Sequence, residues 1–448
     1  MNSVVIDNVV RPVDPMGTAA TGPRFAGSGV AGTPRKPATW RRVLAFAGPG
    51  YMVAVGYMDP GNWATDIGGG AAGGYSLLSV VLLSSLMAML LQAAAVRLGV
   101  ASGMDLAQSC RRYFTAPVNL ALWIGCEIAV VACNMAELLG MACGLGLLFH
   151  IPLVVGVLIA VADVMLILKL QSGGMRYLQA LLIALMALIG ACFALQLWWL
   201  HPPLTAIAAG FRPTTEVVTN PAMLYLAVGI LGATVMPHNL YLHSSIVRSL
   251  PPGDSEAEIR QHIRYATTDS NLALAIAFFV NVAILVLAAG AFWHPGAPPR
   301  VLGLEDAHRL LSPILGTSAA GVIFGAALIA SGLSSSITGT LAGQVVMEGF
   351  LDLRMSRPKR ALLTRALAVV PTVAVTAWLG TEGASRLLVL SQVILGVQLP
   401  FAVVPLLWFT TRTRHLGPHA FRRSTGVLLW TVALVLVVVN VWAICEVC

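Results

Sequence analysis

The chain has 448 residues, of which 57% are hydrophobic and 10% are charged, and its mean hydropathy is +0.82. This composition excludes an ordinary water-soluble globular protein and indicates an integral membrane protein. The net charge of +8 comes from basic residues that are spread along the loops, so it predicts a lipid bilayer rather than nucleic acid as the partner.

Apolar stretches long enough to cross the hydrocarbon core, roughly 20 helical residues each, number about eleven. Residues 1–38 are rich in Gly, Pro, Ala and Thr without an apolar segment, so they are predicted to be a disordered arm and not a signal peptide. Residues 39–448 are predicted to form a single all-α transmembrane domain. The stretches centre on about residues 43–67, 76–98, 118–147, 152–170, 178–200, 222–247, 270–293, 317–340, 362–380, 386–410 and 425–445.

The basic residues accumulate on one side of these spans. With a cytoplasmic N-terminus, only Arg212, Arg300, Arg309 and Arg386 of the 27 Lys and Arg residues fall outside the cell. Positive residues favour the cytoplasmic side, so the N-terminus is predicted to be cytoplasmic and the C-terminus external. Arg365 is counted here as part of a cytoplasmic segment.

Span one is interrupted by the sequence Asp59-Pro60-Gly61-Asn62. Proline removes a backbone donor and glycine adopts unusual dihedrals, so the helix should unwind here. Unwound backbone survives at membrane depth only where it is buried in protein or lines a wet cavity. The freed carbonyl groups and the two polar side chains are therefore candidate ligands.

Acidic side chains follow at membrane depth in spans three and four. Glu127 and Glu137 are ten residues apart, which puts them about 80° apart around a helix, and Asp163 lies near the inner half of span four. Acids inside a membrane are costly and indicate functional sites, although Glu127 is equally well interpreted as a buried structural acid. Asp269 is predicted to lie near the N-terminus of span seven, where a carboxylate complements the helix dipole.

Span six repeats the interruption with Met236-Pro237-His238-Asn239, and His243 follows. The breaks are five spans apart, and this odd spacing inverts the second copy relative to the first. The pattern is typical of a five-plus-five inverted repeat whose site lies where the broken helices cross. Each histidine is either a packing residue or a proton carrier. The repeats are predicted at about 43–200 and 222–410, with an additional helix at about 425–445.

The sequence around both breaks resembles the natural-resistance-associated macrophage protein (Nramp) family of proton-coupled importers of manganese, ferrous iron and related divalent metals. The resemblance covers about residues 40–445 and implies a leucine-transporter-like fold. The residues that carry it are Gly48–Tyr51, Tyr57–Asp66, Asp105–Gln108, Gly232–Ser245, Val346–Leu351 and Gln398–Ala402.

This resemblance implies that Asp59, Asn62, Met236 and the carbonyl group of Ala233 are metal ligands, and that Gln392 joins them in the occluded state. Oxygen ligands suit Mn²⁺ and Fe²⁺ but also Mg²⁺ and Ca²⁺, so the soft thioether is the predicted source of selectivity for transition metals. No cofactor is expected, because metal ions and protons are substrates, and the protein is expected to act as a monomer.

One departure from the family pattern affects proton handling. Asn134 stands in span three where the family usually has an aspartate, and Ser336 in span eight stands where threonine is common. The candidate proton-carrying residues are then Asp59, Glu127, Glu137, His238 and His243.

The leading hypothesis is a proton-coupled importer in the bacterial inner membrane that prefers Mn²⁺, with Fe²⁺ next. A weakly coupled or uncoupled metal uniporter, or one that accepts Mg²⁺, is the first alternative. A sodium-coupled organic-solute symporter of the same fold is less favoured, because Asp59 would repel a substrate carboxylate. No set of catalytic groups indicates an enzyme. The terminal Cys445 and Cys448 either oxidise or bind a stray metal, or belong to a tail without function.

Overall fold

The computed structural model describes residues 48–173, 175–248, 255–294, 302–352 and 357–447. These residues contain helices and connecting turns and no strand. The predicted arm at 1–38 and Cys448 lie outside the described residues, whereas Cys445 is described as an exposed free thiol.

The predicted all-α architecture with about eleven spans is confirmed. Short helices Leu106–Tyr113, Leu204–Gly210, Glu216–Thr219, Leu304–Leu315 and Thr413–Leu416 connect the spans. Span one comprises Pro49–Ala54, the 3-10 turn Val55–Met58 and Pro60–Gly73; span two is Leu78–Ser102, span three Ala116–Phe149, span four Leu153–Ala160 with Asp163–Gly173, span five Met175–Leu200, span six Pro221–Val235 with Pro237–Val247, span seven Glu256–Phe292, span eight Ala319–Leu351, spans nine and ten Arg357–Thr410, and span eleven Arg423–Val447.

Eight helices among the described residues are long and apolar enough to cross a membrane by themselves. One of them, Leu362–Thr410, contains both spans nine and ten, which follow each other directly across a kink at Gly380, where the backbone is non-helical at φ 58° and ψ −145°. Span one is divided into short pieces and span four contributes only the shorter apolar segment Leu153–Ile167, so neither reaches that length. The divided spans one and four, together with the counting of spans nine and ten as one helix, explain the difference between eight and eleven.

The start of span seven and the placement of Asp269 differ from the sequence predictions. Span seven begins at Glu256 instead of about residue 270, because the Ser255 side chain caps a helix that extends beyond the apolar segment. Asp269 is consequently inside span seven and not at its start. Its Oδ2 atom instead accepts hydrogen bonds from the backbone N–H groups of Gly50 (2.8 Å) and Gly48 (3.3 Å), at the N-terminus of span one. The Asp269 carboxylate therefore complements the dipole of span one and not, as predicted, the dipole of span seven.

Span three contacts helices of both repeats. It packs most extensively against span eight and against spans nine and ten, and it also contacts the second half of span one. This last contact depends on a glycine, since a Cβ atom at Gly140 would lie 2.1 Å from the Cβ atom of Pro60. Span three therefore packs directly against the proline at the break in span one.

Candidate metal site at the two helix breaks

The break in span one is centred on Asp59, which has extended backbone dihedrals between two helical segments. Its side chain caps the second segment, because Oδ1 accepts a hydrogen bond from the Asn62 backbone N–H at 2.9 Å. Pro60 occupies the first helical position, where its missing N–H group is not needed. Local sequence therefore fixes both the break and the position of the carboxylate.

The break in span six is centred on Met236, at φ 44° and ψ 94°. A non-glycine residue in this region costs on the order of 1–3 kcal/mol and persists only where the surroundings enforce it. Pro237 excludes the helical conformation for the residue before it, and the Met236 side chain is completely buried. Met236 is thus held in a strained conformation by its neighbours.

Asn62 joins the two breaks. Its Nδ2 atom donates hydrogen bonds to Oδ1 of Asp59 at 2.6 Å and to the carbonyl oxygen of Ala233 at 3.0 Å. The other Asp59 oxygen, Oδ2, is buried and has no hydrogen-bond partner among the described residues. An acid and a carbonyl group from opposite repeats therefore converge on one amide.

Gln392 of span ten lies against the same break. A Cβ atom at Gly61 would be 1.8 Å from Gln392 Nε2 and 2.9 Å from Asp59 Oδ2, so the glutamine side chain crosses Gly61 next to the carboxylate. The Gln392 amide nitrogen donates to the Ser391 hydroxyl at 3.0 Å, while its oxygen is without a partner in the described part of the chain. The glutamine thus has a free acceptor at the site.

The Met236 side chain faces span three. It packs with Ala129, Ala132, Cys133 and Leu395, and its sulfur accepts a hydrogen bond from Asn239 Nδ2 at 3.2 Å. Asp59, Asn62 and Ala233 are brought into direct contact, whereas the methionine sulfur occupies the adjoining apolar wall. All the predicted ligands are at most 1% exposed, so the site is occluded in this conformation.

Most carbonyl groups that the breaks release accept hydrogen bonds from distant side chains. Asn281 donates to the carbonyl oxygen of Tyr57 at 3.0 Å, Ser331 donates to that of Met58 at 2.5 Å, and the Tyr57 hydroxyl donates to that of Val235 at 3.3 Å. Of these freed groups, the Ala233 oxygen is the one that lies beside Asp59.

The two histidines of span six have different surroundings. His243 Nδ1 is 2.8 Å from Oε1 of Gln92, whose Nε2 donates to the Tyr57 hydroxyl at 2.7 Å. This chain of contacts links His243 to the helix breaks. His238 is also buried, and its Nδ1 atom has no partner among the described residues.

A buried ion cluster lies beside the site, centred on Arg365 of span nine. Arg365 Nη1 donates to Glu137 at 3.1 Å and to Asn134 at 3.0 Å, and Nη2 donates to Asp163 at 2.5 Å. The Ser336 hydroxyl contacts both Asp163 and Arg365. The assignment of Arg365 to a cytoplasmic segment is therefore wrong, because its side chain is 1% exposed between spans three, four and eight.

The structure separates the two glutamates of span three. Glu137 belongs to the ion cluster, whereas both carboxyl oxygens of Glu127 are buried without a hydrogen-bond partner in the described segments. Sequence reasoning missed Arg365 as a site residue. The available signal was a single arginine within an apolar run of span nine, together with an acid, Asp163, in span four.

The donor set at the breaks is unusual for a resident metal centre. Among the residues described, no group of three or more His, Cys, Asp or Glu side chains is placed to hold a metal ion. The site instead combines one carboxylate, two amides, a carbonyl group and a nearby thioether. Few charges and occlusion from solvent suit a cation that must also leave.

Comparisons with known proteins agree with this geometry. Residues 50–446 match the family described as natural resistance-associated macrophage protein-like, Nramp. A divalent metal cation transporter, MntH, from Mesorhizobium japonicum is 54% identical over 90% of this chain and 88% of its own length. The protein of that name from Nostoc sp. is 51% identical over 92% and 93%.

Solved structures give the same result. The manganese transporter of Eremococcus coleocola, crystallised with an aromatic bis-isothiourea substituted compound, is 36% identical and has a TM-score of 0.83 over 91% of this chain and 87% of its own. MhsT in complex with L-phenylalanine is 14% identical with a TM-score of 0.61 over 89% and 98%, which shows the fold alone. These likenesses confirm the predicted leucine-transporter-like fold with its inverted repeat. The chain belongs to the Nramp family of metal-ion transporters.

Proposed function

We propose that the protein imports divalent transition-metal ions, Mn²⁺ first and Fe²⁺ next, and that inward proton movement drives the transport. It acts as a monomer in the bacterial inner membrane, with its N-terminus in the cytoplasm and its C-terminus outside. Related chains named divalent metal cation transporter and manganese transporter support the substrate class. Membership of a family of metal-ion transporters agrees with the prediction that the protein is not an enzyme.

The observation that carries this proposal is the Asn62 amide between Asp59 and Ala233. The N–H groups of Asn62 donate hydrogen bonds to the Asp59 and Ala233 oxygens, which could otherwise bind a cation. Rotation of the Asn62 amide by about 180° would turn its N–H groups away and direct its oxygen toward these two oxygens. The site would then present three oxygen ligands to the ion. The ion then bridges the two repeats, and rocking of the broken helices against the scaffold exposes it to either side.

Selectivity follows from the Met236 thioether. Carboxylate, amide and carbonyl oxygens bind Mg²⁺ and Ca²⁺ as readily as Mn²⁺, whereas a soft sulfur ligand favours transition metals. The sulfur needs only to exchange its hydrogen bond from Asn239 for the ion. Asp59 also disfavours the rival solute symporter, because it would face a substrate carboxylate with a like charge.

Uptake into proteoliposomes tests the function. Mn²⁺, Fe²⁺, Zn²⁺, Ca²⁺ and Mg²⁺ are compared at two external pH values, with a dye that reports internal pH. Transition-metal uptake that is faster at the lower external pH and is accompanied by internal acidification is expected. Metal uptake without acidification would instead establish the uniporter.

Two substitutions at Met236 separate sulfur chemistry from packing. Met236→Leu keeps a comparable apolar volume but removes the sulfur, so we expect about tenfold weaker discrimination of Mn²⁺ against Ca²⁺ with a stable protein. Met236→Ala should lose the same discrimination and also about 2–5 kcal/mol of stability, because it leaves a cavity in a buried cluster. Unchanged discrimination in both variants would remove Met236 from the ligand set.

A further inference from the structure

Arg365 carries a positive charge that cannot reach water. Its side chain is 1% exposed within the membrane domain, where an unpaired guanidinium group costs several kcal/mol. On span three it reaches Glu137 at 3.1 Å and also Asn134, which offers only a neutral amide oxygen at 3.0 Å. The counter-charge must therefore come from the two acids, Glu137 and Asp163.

Asp163 is placed for this role by an interruption of span four. The helix Leu153–Ala160 ends in a turn, and Asp163 is the first residue of the next helix, Asp163–Gly173. The side chain is 2% exposed and reaches Arg365 across 2.5 Å. Its Oδ2 atom makes the contacts with Arg365 and Ser336, while Oδ1 is buried without a partner among the described residues.

The charges of the cluster do not balance when both acids are ionised. One guanidinium group then faces two carboxylates and leaves a net negative charge in a low-dielectric environment. The other contacting groups, Asn134, Cys133 and Ser336, are a neutral amide, a thiol and a hydroxyl. One added proton makes the cluster neutral. The unpartnered Oδ1 atom of Asp163 is an oxygen that can carry it.

The metal site is close enough to influence this balance. Glu137 is close enough to feel the charges of both Asp163, within the cluster, and Asp59, at the metal site. A divalent cation at the helix breaks adds positive charge near the cluster and so favours loss of the cluster's proton. Metal binding and proton release are thereby linked without direct contact between the two sites.

We propose that Asp163 supplies from span four the exchangeable acid that span three lacks at Asn134, and that the Asp163–Arg365–Glu137 cluster takes up and releases a proton during transport. This inference rests on the proton coupling proposed above. It assigns the exchangeable acid to span four instead of span three. It also predicts that an aspartate at position 134 of span three can replace Asp163, since Asn134 already contacts the Arg365 guanidinium group.

The test compares Asp163→Asn, Asn134→Asp and the double variant Asn134→Asp/Asp163→Asn in proteoliposomes that contain a pH-sensitive dye. The readout is internal acidification per Mn²⁺ ion taken up, and Mn²⁺ binding to the purified protein is measured separately. Glu382→Gln is the control, because it removes an exposed acid that pairs with Arg386 outside the cluster. It should leave the ratio unchanged.

Asp163→Asn should keep Mn²⁺ binding but lower the acidification ratio by about tenfold, because the one remaining acid, Glu137, must stay ionised beside Arg365 and cannot take up a proton without leaving Arg365 unpaired. The double variant should recover at least about half of the ratio, since it restores two acids around the guanidinium group. If Asp163→Asn does not fold, the double variant decides alone.

An unchanged ratio in Asp163→Asn overturns the proposal, and so does a double variant that binds Mn²⁺ but stays uncoupled. Absence of acidification in the unaltered protein refutes proton coupling itself and with it the role of Asp163. The unaltered protein and the variants therefore distinguish the failure of the general function from the failure of this inference.

Discussion

Gly61→Ala tests whether Gln392 acts on the ion from its position across the break in span one. The added Cβ atom would lie 1.8 Å from Gln392 Nε2 and 2.3 Å from its Cδ atom. Non-bonded heavy atoms need about 3.5 Å, so the amide nitrogen has to move by roughly 1.7 Å. Gly61 is not among the positive-φ glycines, so the methyl group acts by its volume and not through backbone strain.

The displacement should weaken Mn²⁺ binding. A hydrogen-bonding group directed at a charge contributes about 1.5–3 kcal/mol, which corresponds to an increase of about 10- to 150-fold in the Kd for Mn²⁺. Isothermal titration calorimetry with the purified transporter measures the Kd for Mn²⁺. The matched control is Gly125→Ala in span three, whose Cβ atom would meet only Gln398 atoms at 3.8 Å or beyond, and its Kd should be unaltered.

A double variant identifies the route of the effect. If the methyl group acts through Gln392, then Gly61→Ala/Gln392→Ala binds Mn²⁺ no more weakly than the poorer of the two single variants. Fully additive losses, or a Gly61→Ala protein with unaltered affinity, would refute a Gln392 contact with the ion. They would leave the glutamine as a packing residue of the occluded state.

Two further predictions concern contacts that hold the broken helices. Asp269→Asn weakens the hydrogen bond to Gly50, so backbone hydrogen exchange at the start of span one should accelerate by about tenfold; an unchanged rate would contradict the capping role. Gln92→Leu removes the partner of His243 Nδ1 and one of the two partners of the Tyr57 hydroxyl, which still donates to the Val235 carbonyl oxygen, so the cost of about 1–3 kcal/mol comes from the histidine nitrogen left unpaired. Thermal unfolding in detergent should show the loss, and adding Tyr57→Phe should increase it, because the Val235 carbonyl oxygen then loses its donor; a recovery of stability would count against the proposed chain.

The helix breaks could be predicted because proline chemistry is local. Pro60 and Pro237 each disrupt the preceding helical turn independently of the rest of the chain. Their separation by five spans indicated the inverted repeat. The break itself made Asn62 a candidate ligand, whereas the Ala233 carbonyl group could be assigned only through the family resemblance. The hydrogen-bonded contact between them joins residues 171 positions apart, which no periodicity reports.

The ion cluster could not be predicted for a related reason. Arg365 and Asp163 are 202 positions apart, and each taken alone is consistent with a loop charge or an interfacial anchor. The positive-inside rule counts charges along the chain and cannot distinguish an arginine at a span terminus from one that turns inward. Asn134 indicated a missing acid, but the acid that we propose in its place, Asp163, is on another helix.

The Tyr57 carbonyl group at the break in span one depends on a partner that is synthesised much later. Asn281, which donates to this carbonyl oxygen, is 224 residues further along the chain, whereas the Met58 carbonyl oxygen accepts from the nearby Trp63 as well as from the distant Ser331. At about 5–20 residues per second, the ribosome needs about 10–45 s to reach Asn281. The nascent first span must pass this interval without the partner of the Tyr57 carbonyl group, so it is a segment of the membrane domain that needs protection during insertion.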